Sequence, residues 1–172
     1  SPMIRTFLRG GMDTTISGLG FTLLQLARRP QLWDQLHEDR RSILGVFEES
    51  IRLDAPITTF FRTTATEAFE FAGVTLQPDT KLQIFPGAAN RDPRFWQEPD
   101  SFDPLRPAGT HMSFGSGVHN CIGRMIAQLE VQALLEALLD RVERLELAGE
   151  PTLRPLNALR TLKTLPLRIV AR

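Results

Sequence analysis

Apolar residues recur at helical spacing along the first part of the chain, and Pro30 interrupts the pattern. This stripe predicts a helix over residues 3–27. Its members are Ile4, Phe7, Leu8, Met12, Leu19, Leu23 and Leu26. Shorter helices are predicted over residues 31–38 and 42–52. Alternating, β-branched or aromatic residues then predict strands at 58–63, 68–71 and 81–85.

The second half of the chain begins with an irregular, proline-rich segment over residues 86–117, and a loop of that length is usually functional. A long amphipathic helix is predicted from Ile122 onward, followed by a turn-and-strand unit at 158–170. We expect the inner stripe of this helix to be Ile126, Leu129, Leu134, Leu138 and Val142. The pattern as a whole predicts a mainly α fold with small β-sheets.

Composition excludes several classes of protein. The 172 residues carry 20 basic and 20 acidic side chains, so no basic excess is available to neutralise nucleic-acid phosphates. The apolar runs are shorter than the roughly 18–20 residues that span a bilayer. One cysteine excludes a disulfide framework and a multi-cysteine zinc site.

The single cysteine lies in the segment FGSGVHNCIG, residues 114–123, directly before the long helix. Gly115 and Gly117 allow a tight loop, and a helix N-terminus favours the thiolate of Cys121. Gly123 leaves room for a flat partner, which suits an axial ligand of haem iron. The alternatives are a buried structural cysteine or a nucleophile paired with His119.

This segment resembles the haem-binding loop of the cytochrome P-450 family, F-G-x-G-x-H-x-C-x-G. The resemblance implies that Cys121 is the metal ligand of haem b. It also implies cofactor contacts from Phe114, Gly115, Gly123 and two propionate partners, Arg62 and His119.

Two further motifs support the resemblance. Glu49 and Arg52 match the family's E-x-x-R, and Phe102-Asp103-Pro104-Leu105-Arg106 matches its F-x-P-x-R. Alone, a Glu/Arg pair three residues apart is usually a solvated surface salt bridge. The resemblance implies instead that Glu49, Arg52 and Arg106 form a buried structural triad.

A third motif, GGMDTT at residues 10–15, resembles the distal-helix motif A/G-G-x-D/E-T-T. It implies a dioxygen groove at Gly10 and Gly11, with Asp13 and Thr14 as catalytic proton relay. A helix C-cap followed by an N-cap is the alternative. The implied substrate pocket consists of Thr6, Arg9, Gly10, Ile57, Thr58, Phe60, Ala158 and Leu159.

The resemblance implies a bacterial, cytoplasmic monooxygenase that inserts one oxygen atom from O2 into a small organic substrate by hydroxylation or O-demethylation. Electrons would come from NAD(P)H through a ferredoxin or flavodoxin-type donor. Residues 59–64 and 5–8 look closest to members that oxidise para-substituted benzoic acids, so an aromatic carboxylic acid is expected. A peroxide-driven peroxygenase is an alternative that the intact Asp13–Thr14 pair disfavours.

The resemblance covers nearly all residues, whereas the family's chains are more than twice as long. We therefore expect residues 1–172 to be the C-terminal, haem-loop half of a single P-450 domain whose N-terminal half is absent. Such a fragment would be inactive alone, which leaves a truncated, non-catalytic piece as another alternative. His37 and His111 match no ligand pattern, and we predict both to be surface or loop residues.

Overall fold

The computed structural model describes residues 2–107 and 109–172, apart from the side chains of Pro2, Met3, Thr6, Phe7 and Arg9. Its α-helices are α1 (Pro2–Arg28), α2 (Pro30–Glu38), α3 (Ile43–Leu53), α4 (Pro86–Ala89) and α5 (Arg124–Arg141). The three predicted N-terminal helices are confirmed to within two residues at either end. Pro30 separates α1 from α2, since it lacks the N–H that would continue α1 but suits the first turn of α2.

The strands are short and pair only in twos within the described part of the chain. They are β1 (Phe60–Thr63), β2 (Phe69–Phe71), β3 (Val74–Leu76), β4 (Lys81–Ile84), β5 (Val142–Leu147), β6 (Thr152–Leu153), β7 (Leu162–Thr164) and β8 (Leu167–Ala171). The antiparallel pairs are β1–β4, β2–β3, β5–β8 and β6–β7. The predicted mainly α fold with small sheets is confirmed.

Helix α3 lies at the centre of the hydrophobic core, in contact with α1 and α5. Its apolar residues Ile43, Val46, Phe47 and Ile51 are buried against those of α1, α2 and α5. Gly45 allows this packing, because any side chain there would collide with the backbone carbonyl of Pro104. The irregular segment after α4 can therefore pass directly over α3.

The predicted inner stripe of α5 is confirmed for Leu138, which packs against the core, and for the buried Val142, but it is wrong for Ile126 and Leu129. Ile126 and Leu129 are 62% and 64% exposed, whereas the buried face consists of Val131, Leu135 and Leu139. The helix carries apolar residues around much of its circumference, so periodicity alone does not identify its buried side. The predicted stripe also included Val142, which is the first residue of β5.

Other differences are local. A turn at Ala72 and Gly73 joins β2 to β3, and the segment predicted to be irregular contains α4. Strands β3, β5 and β6 were not predicted, because β3 and β6 are only three and two residues long and β5 follows α5 without a turn. None of the helices within the described residues has the length and apolar character of a membrane span.

Candidate functional site

The loop around Cys121 is closed by a backbone hydrogen bond. The N–H of Cys121 donates to the carbonyl oxygen of Phe114 at 2.7 Å. Gly115 has φ of 74°, and a Cβ there would lie 2.6 Å from the carbonyl oxygen of His119. This position therefore requires glycine, both for its backbone angle and for the close approach of the chain.

The thiol at the end of this loop is open to its surroundings. Cys121 is exposed and lies three residues before Arg124, the first residue of α5. Its neighbours Val118 and Ile122 are apolar side chains that are also exposed. A Cβ at Gly123 would be 3.9 Å from the Cys121 sulfur, so a larger side chain there would crowd the thiol. A flat apolar group can approach such a sulfur.

Behind the loop, α3 carries a buried ion pair. Glu49 and Arg52 are 3% and 1% exposed, and two hydrogen bonds of 2.7 and 2.8 Å join their side chains. The remaining donor capacity of Arg52 goes to backbone carbonyls of the segment after α4. Those acceptors are Asn90 at 2.7 Å, Pro99 at 2.8 Å and Ser101 at 3.1 Å. The pair is thus fully hydrogen-bonded, as a buried charge must be.

Arg106 completes the predicted triad geometry. Its Nε lies 3.2 Å from Oε1 of Glu49, the same oxygen that accepts from the backbone N–H of Asp103 at 2.9 Å. The guanidinium of Arg52 lies 5.0 Å from the ring centroid of Trp96, and that of Arg106 lies 6.0 Å from it. The structure therefore brings together Glu49, Arg52 and Arg106 as the sequence motifs predict.

A second buried carboxylate, Glu48, was not identified from the sequence. Its oxygens lie 2.7 Å from His111 Nε2, 2.6 Å from Gln128 Nε2 and 3.2 Å from Arg124 Nη2. Burial raises the pKa of Glu48, but the hydrogen bonds from His111 and Gln128 and the nearby charges of His111 and Arg124 outweigh it. The pKa consequently lies below its ordinary value.

The prediction that His111 is a surface or loop residue is wrong in its exposure: the side chain is 5% exposed and bonded to Glu48. Nothing local to His111 in the sequence indicates this, since its partner is 63 residues away. The one indication was the Glu48-Glu49 pair, whose members lie about 100° apart on a buried helix and need separate cations. His37 lies half-buried on α2 near the C-terminal Arg172.

The glycine pair of the distal motif lies inside α1, which continues through it as a regular helix. A side chain at Gly10 or Gly11 would meet no atom of the described chain within 4 Å. The Thr14 hydroxyl donates to the carbonyl oxygen of Gly10 at 2.6 Å, and Asp13 is exposed. The alternative of a helix end at this motif is therefore excluded.

Part of the predicted pocket is assembled by two distant segments. Ile57 and Leu159 form an isolated antiparallel bridge, and the N–H of Thr58 donates to the carbonyl oxygen of Ala158 at 3.0 Å. Phe60 follows at the start of β1. The side chains of Thr6 and Arg9, also predicted to line the pocket, lie outside the described part of the structure.

Arg62 lies on β1 beside this wall. Its guanidinium donates to the Phe61 carbonyl at 2.9 Å and lies 4.6 Å from the ring centroid of Phe60. The ion pairs among the described residues do not include Arg62. Arg62 can therefore pair with an anionic group on a ligand. His119 is exposed in the cysteine loop and is accessible for the same purpose.

The chain thus carries an exposed cysteine just before a long helix and, on α3, a buried E-x-x-R pair, the combination that the resemblance associates with haem-thiolate proteins. The family model for cytochrome P-450 matches residues 3–167. This chain belongs to the cytochrome P-450 family, as the sequence resemblance predicted.

Individual relatives agree with this assignment. The chain is 41% identical over 167 residues to cytochrome p450 CYP199A2 of Rhodopseudomonas palustris, covering 97% of this chain and 40% of that protein. It is 31% identical to linalool 8-monooxygenase of Pseudomonas putida, covering 95% and 40%. The solved structure of CYP108D1 from Novosphingobium aromaticivorans superposes with a TM-score of 0.90 at 41% identity, covering 95% and 39%. The chain thus spans about 40% of the length of these relatives.

Members of this family bind haem, and the residues present fit that cofactor. The exposed Cys121 thiol would supply a sulfur ligand, and the apolar side chains beside it would suit a flat, apolar cofactor. The Arg62 guanidinium, which no carboxylate of the described chain neutralises, suits a propionate. These are the residues that would hold the group.

The buried pair on α3 generates a stability prediction. Glu49→Gln keeps the shape of the side chain but removes its charge, which leaves Arg52 buried without its anion. We expect a loss of about 3–5 kcal/mol, a large part of the roughly 5–15 kcal/mol of a typical domain. Urea unfolding followed by circular dichroism measures it.

The matched control is Glu130→Gln, the same substitution at an exposed position of α5, where the change should stay within about 0.5 kcal/mol. Equal unfolding free energies for the two variants would show that the charge of Glu49 does not matter for folding.

Proposed function

We propose that this protein is a haem-thiolate monooxygenase in which Cys121 is the protein ligand of the iron. The observation that carries the proposal is the closed loop that presents an exposed thiol. The hydrogen bond from the Cys121 N–H to the Phe114 carbonyl oxygen closes this loop. Because the chain spans about 40% of its relatives' length, the activity proposed is that of the whole protein that contains it.

Haem, when bound, supplies dioxygen activation and oxygen insertion, which no side chain provides. The part of Cys121 is to supply an anionic sulfur. Its exposed position at the end of the closed loop, three residues before α5, supports this, because the sulfur is accessible to a metal ion. Gly123 keeps the space beside the sulfur free, and Arg62 and His119 are the groups proposed to bind the two propionates.

Proton delivery is assigned to Asp13 and Thr14. The Thr14 hydroxyl donates its proton to the Gly10 carbonyl, so the lone pairs of its oxygen remain free to accept a hydrogen bond. The exposed Asp13 carboxyl can exchange protons with solvent. Together they would pass protons along α1 toward the open space at Gly10 and Gly11.

We propose further that the substrate is a small aromatic carboxylic acid. The apolar wall at Ile57, Phe60 and Leu159 suits an aromatic ring, and the cationic candidates for its carboxylate are Arg5, exposed on α1, and Arg9. An electron donor of ferredoxin or flavodoxin type and a cytoplasmic location complete the proposal.

A second candidate is that these 172 residues, taken alone, are a non-catalytic piece. Four apolar side chains spaced four apart on α1 are each about 60% exposed: Ile4, Leu8, Met12 and Ile16. The described residues therefore leave this apolar side of α1 uncovered. The same helix carries the proposed proton relay. We therefore propose that the 172 residues are the haem-loop part of a longer P-450 domain.

The ligand assignment is tested by the reduced, carbon monoxide-bound spectrum of the haem-loaded protein. We expect an absorption band of the thiolate-ligated complex at about 450 nm. The Cys121→Ser variant should lose this band, because a hydroxyl is a far weaker ligand of the iron. Cys121→His should keep haem but give a histidine-type spectrum with little oxygen insertion.

Iodoacetamide gives an independent reading of the same residue, since iron-bound sulfur is not free to react. Rapid alkylation of Cys121 in the haem-loaded protein, with the thiolate band unchanged, would disprove the assignment.

Replacing Thr14 by Ala tests the relay. We expect substrate binding and haem content to stay near normal, while NAD(P)H consumption yields more hydrogen peroxide and less product. The physical reason is that the substitution removes the Thr14 hydroxyl, the group on α1 proposed to accept protons and pass them on. Thr15→Ala, one position further around the helix, is the matched control. Unchanged coupling of NADH to product in Thr14→Ala would place the relay elsewhere.

Binding of 4-methoxybenzoate and of its neutral methyl ester tests the charge of the substrate. A cation in the pocket should favour the acid by about tenfold, or 1.4 kcal/mol. The preference should fall in Arg5→Gln or Arg9→Gln. Equal dissociation constants for acid and ester would rule out an anionic substrate.

A further inference from the structure

Glu48 faces a different part of the molecule from its neighbour Glu49. Glu49 contacts the segment after α4, whereas the Glu48 carboxylate contacts residues on both sides of the cysteine loop. Both side chains are 3% exposed, so each carboxylate lies inside the protein. The family motif uses Glu49 and leaves Glu48 without an assigned role.

The entrance of the loop is bound to Glu48 through His111. Nε2 of His111 lies 2.7 Å from the carboxylate, and its Nδ1 accepts a hydrogen bond from the N–H of Ser113 at 3.2 Å. Because Nδ1 is occupied by this acceptor contact, Nε2 is the ring nitrogen that faces the Glu48 carboxylate. The imidazole therefore links α3 to the backbone one residue before Phe114.

Further contacts fix the same entrance. The Met112 N–H donates to Oδ1 of the buried Asn90 at 2.6 Å. The Ser113 hydroxyl donates to the carbonyl oxygen of Ile51 at 2.6 Å and accepts from Nδ2 of Asn90 at 2.8 Å. The chain that leads into the loop thus has a defined position relative to α3.

The exit of the loop is bound to the same carboxylate. Arg124 Nη2 lies 3.2 Å from Oε1 of Glu48, and Gln128 Nε2 lies 2.6 Å from it. Residues four apart share one face of a helix, so the first turns of α5 face Glu48. Arg124 brings the charge of a guanidinium to Glu48 within this cluster.

Phe114 lies between the two ends. The guanidinium of Arg124 lies 5.1 Å from its ring centroid, and the rings of His111 and Phe47 are centred 5.9 and 6.2 Å away. The carbonyl oxygen of Phe114 accepts the hydrogen bond from the Cys121 N–H. A shift of either end would therefore move the residue that closes the loop.

We propose that Glu48 is a positioning residue for the cysteine ligand: its carboxylate joins His111, before the loop, to Arg124 and Gln128, after it. Glu48 is the side chain that contacts both ends of the loop, so the separation of these ends, and with it the direction of the Cys121 sulfur, depends on it together with the Asn90 and Ile51 contacts at the entrance. The inference rests on the proposed role of Cys121.

Glu48→Ala in the haem-loaded protein tests the proposal. We expect a smaller fraction of the reduced carbon monoxide complex to absorb at about 450 nm. The remainder should absorb in a band at shorter wavelength, which marks loss of the thiolate ligand. In the haem-free protein, exchange of the Cys121 amide hydrogen should accelerate by about tenfold, because hydrogen bonds to a charged group are lost.

Two milder variants cover the case in which Glu48→Ala fails to fold. Glu48→Gln keeps an acceptor oxygen for His111 or Gln128 and should retain part of the thiolate band. Gln128→Ala leaves the ion pair between Arg124 and Glu48 intact. It should therefore accelerate exchange of the Cys121 amide hydrogen by a smaller factor than Glu48→Ala does.

Leu135→Ala is the control for general destabilisation, since Leu135 is a fully buried core residue of the same helix that contacts none of these groups through hydrogen bonds. At equal loss of melting temperature, it should leave the thiolate fraction and Cys121 amide exchange unchanged. The proposal is overturned if Leu135→Ala reproduces both effects, or if Glu48→Ala and Gln128→Ala alter neither.

Amide exchange needs no haem, so the two proposals can fail separately. A wild-type protein without a thiolate band would contradict the monooxygenase proposal, whatever the exchange shows. Unchanged amide exchange together with a normal thiolate band in the Glu48 variants would contradict only the positioning role.

Discussion

The buried ion pair between Glu49 and Arg52 is the constraint on which much of this structure depends. Neither charge can be buried unless every hydrogen-bonding position is satisfied. Arg52 meets this requirement with the carbonyls of Asn90, Pro99 and Ser101, and Glu49 with Arg106 and the Asp103 N–H. These partners belong to a segment with almost no regular secondary structure, so the ion pair takes the place of a sheet or helix in fixing its path.

The same helix, through a different face, also holds the two ends of the cysteine loop. The buried Glu48 carboxylate, like that of Glu49, needs hydrogen-bonding partners, but its partners come from either side of residues 114–123. Two adjacent glutamates on α3 therefore organise two different irregular segments. Between them they connect the segment after α4, the loop and α5 to the centre of the core.

Much of the fold and the site could be predicted from sequence, for identifiable reasons. Helices α1 to α3 follow from apolar periodicity interrupted by Pro30, and the tight cysteine loop follows from Gly115 and Gly117, which both have positive φ. The Glu49–Arg52–Arg106 cluster was predicted from motif resemblance. These features depend on residues that are close in sequence or on a pattern with fixed spacing.

The features that were missed depend on tertiary contacts. Whether Ile126 or Val131 faces inward on α5 is decided by the helices that pack there, because both positions are apolar. Burial of His111 requires a carboxylate 63 residues earlier in the chain, and neither residue alone differs from a surface residue.

X-ray absorption at the iron edge of the haem-loaded protein tests most directly the central claim, that Cys121 is the protein ligand of the iron. Our account predicts one sulfur among the nearest neighbours of the iron, supplied by Cys121, and a first shell of nitrogen and oxygen alone would contradict it.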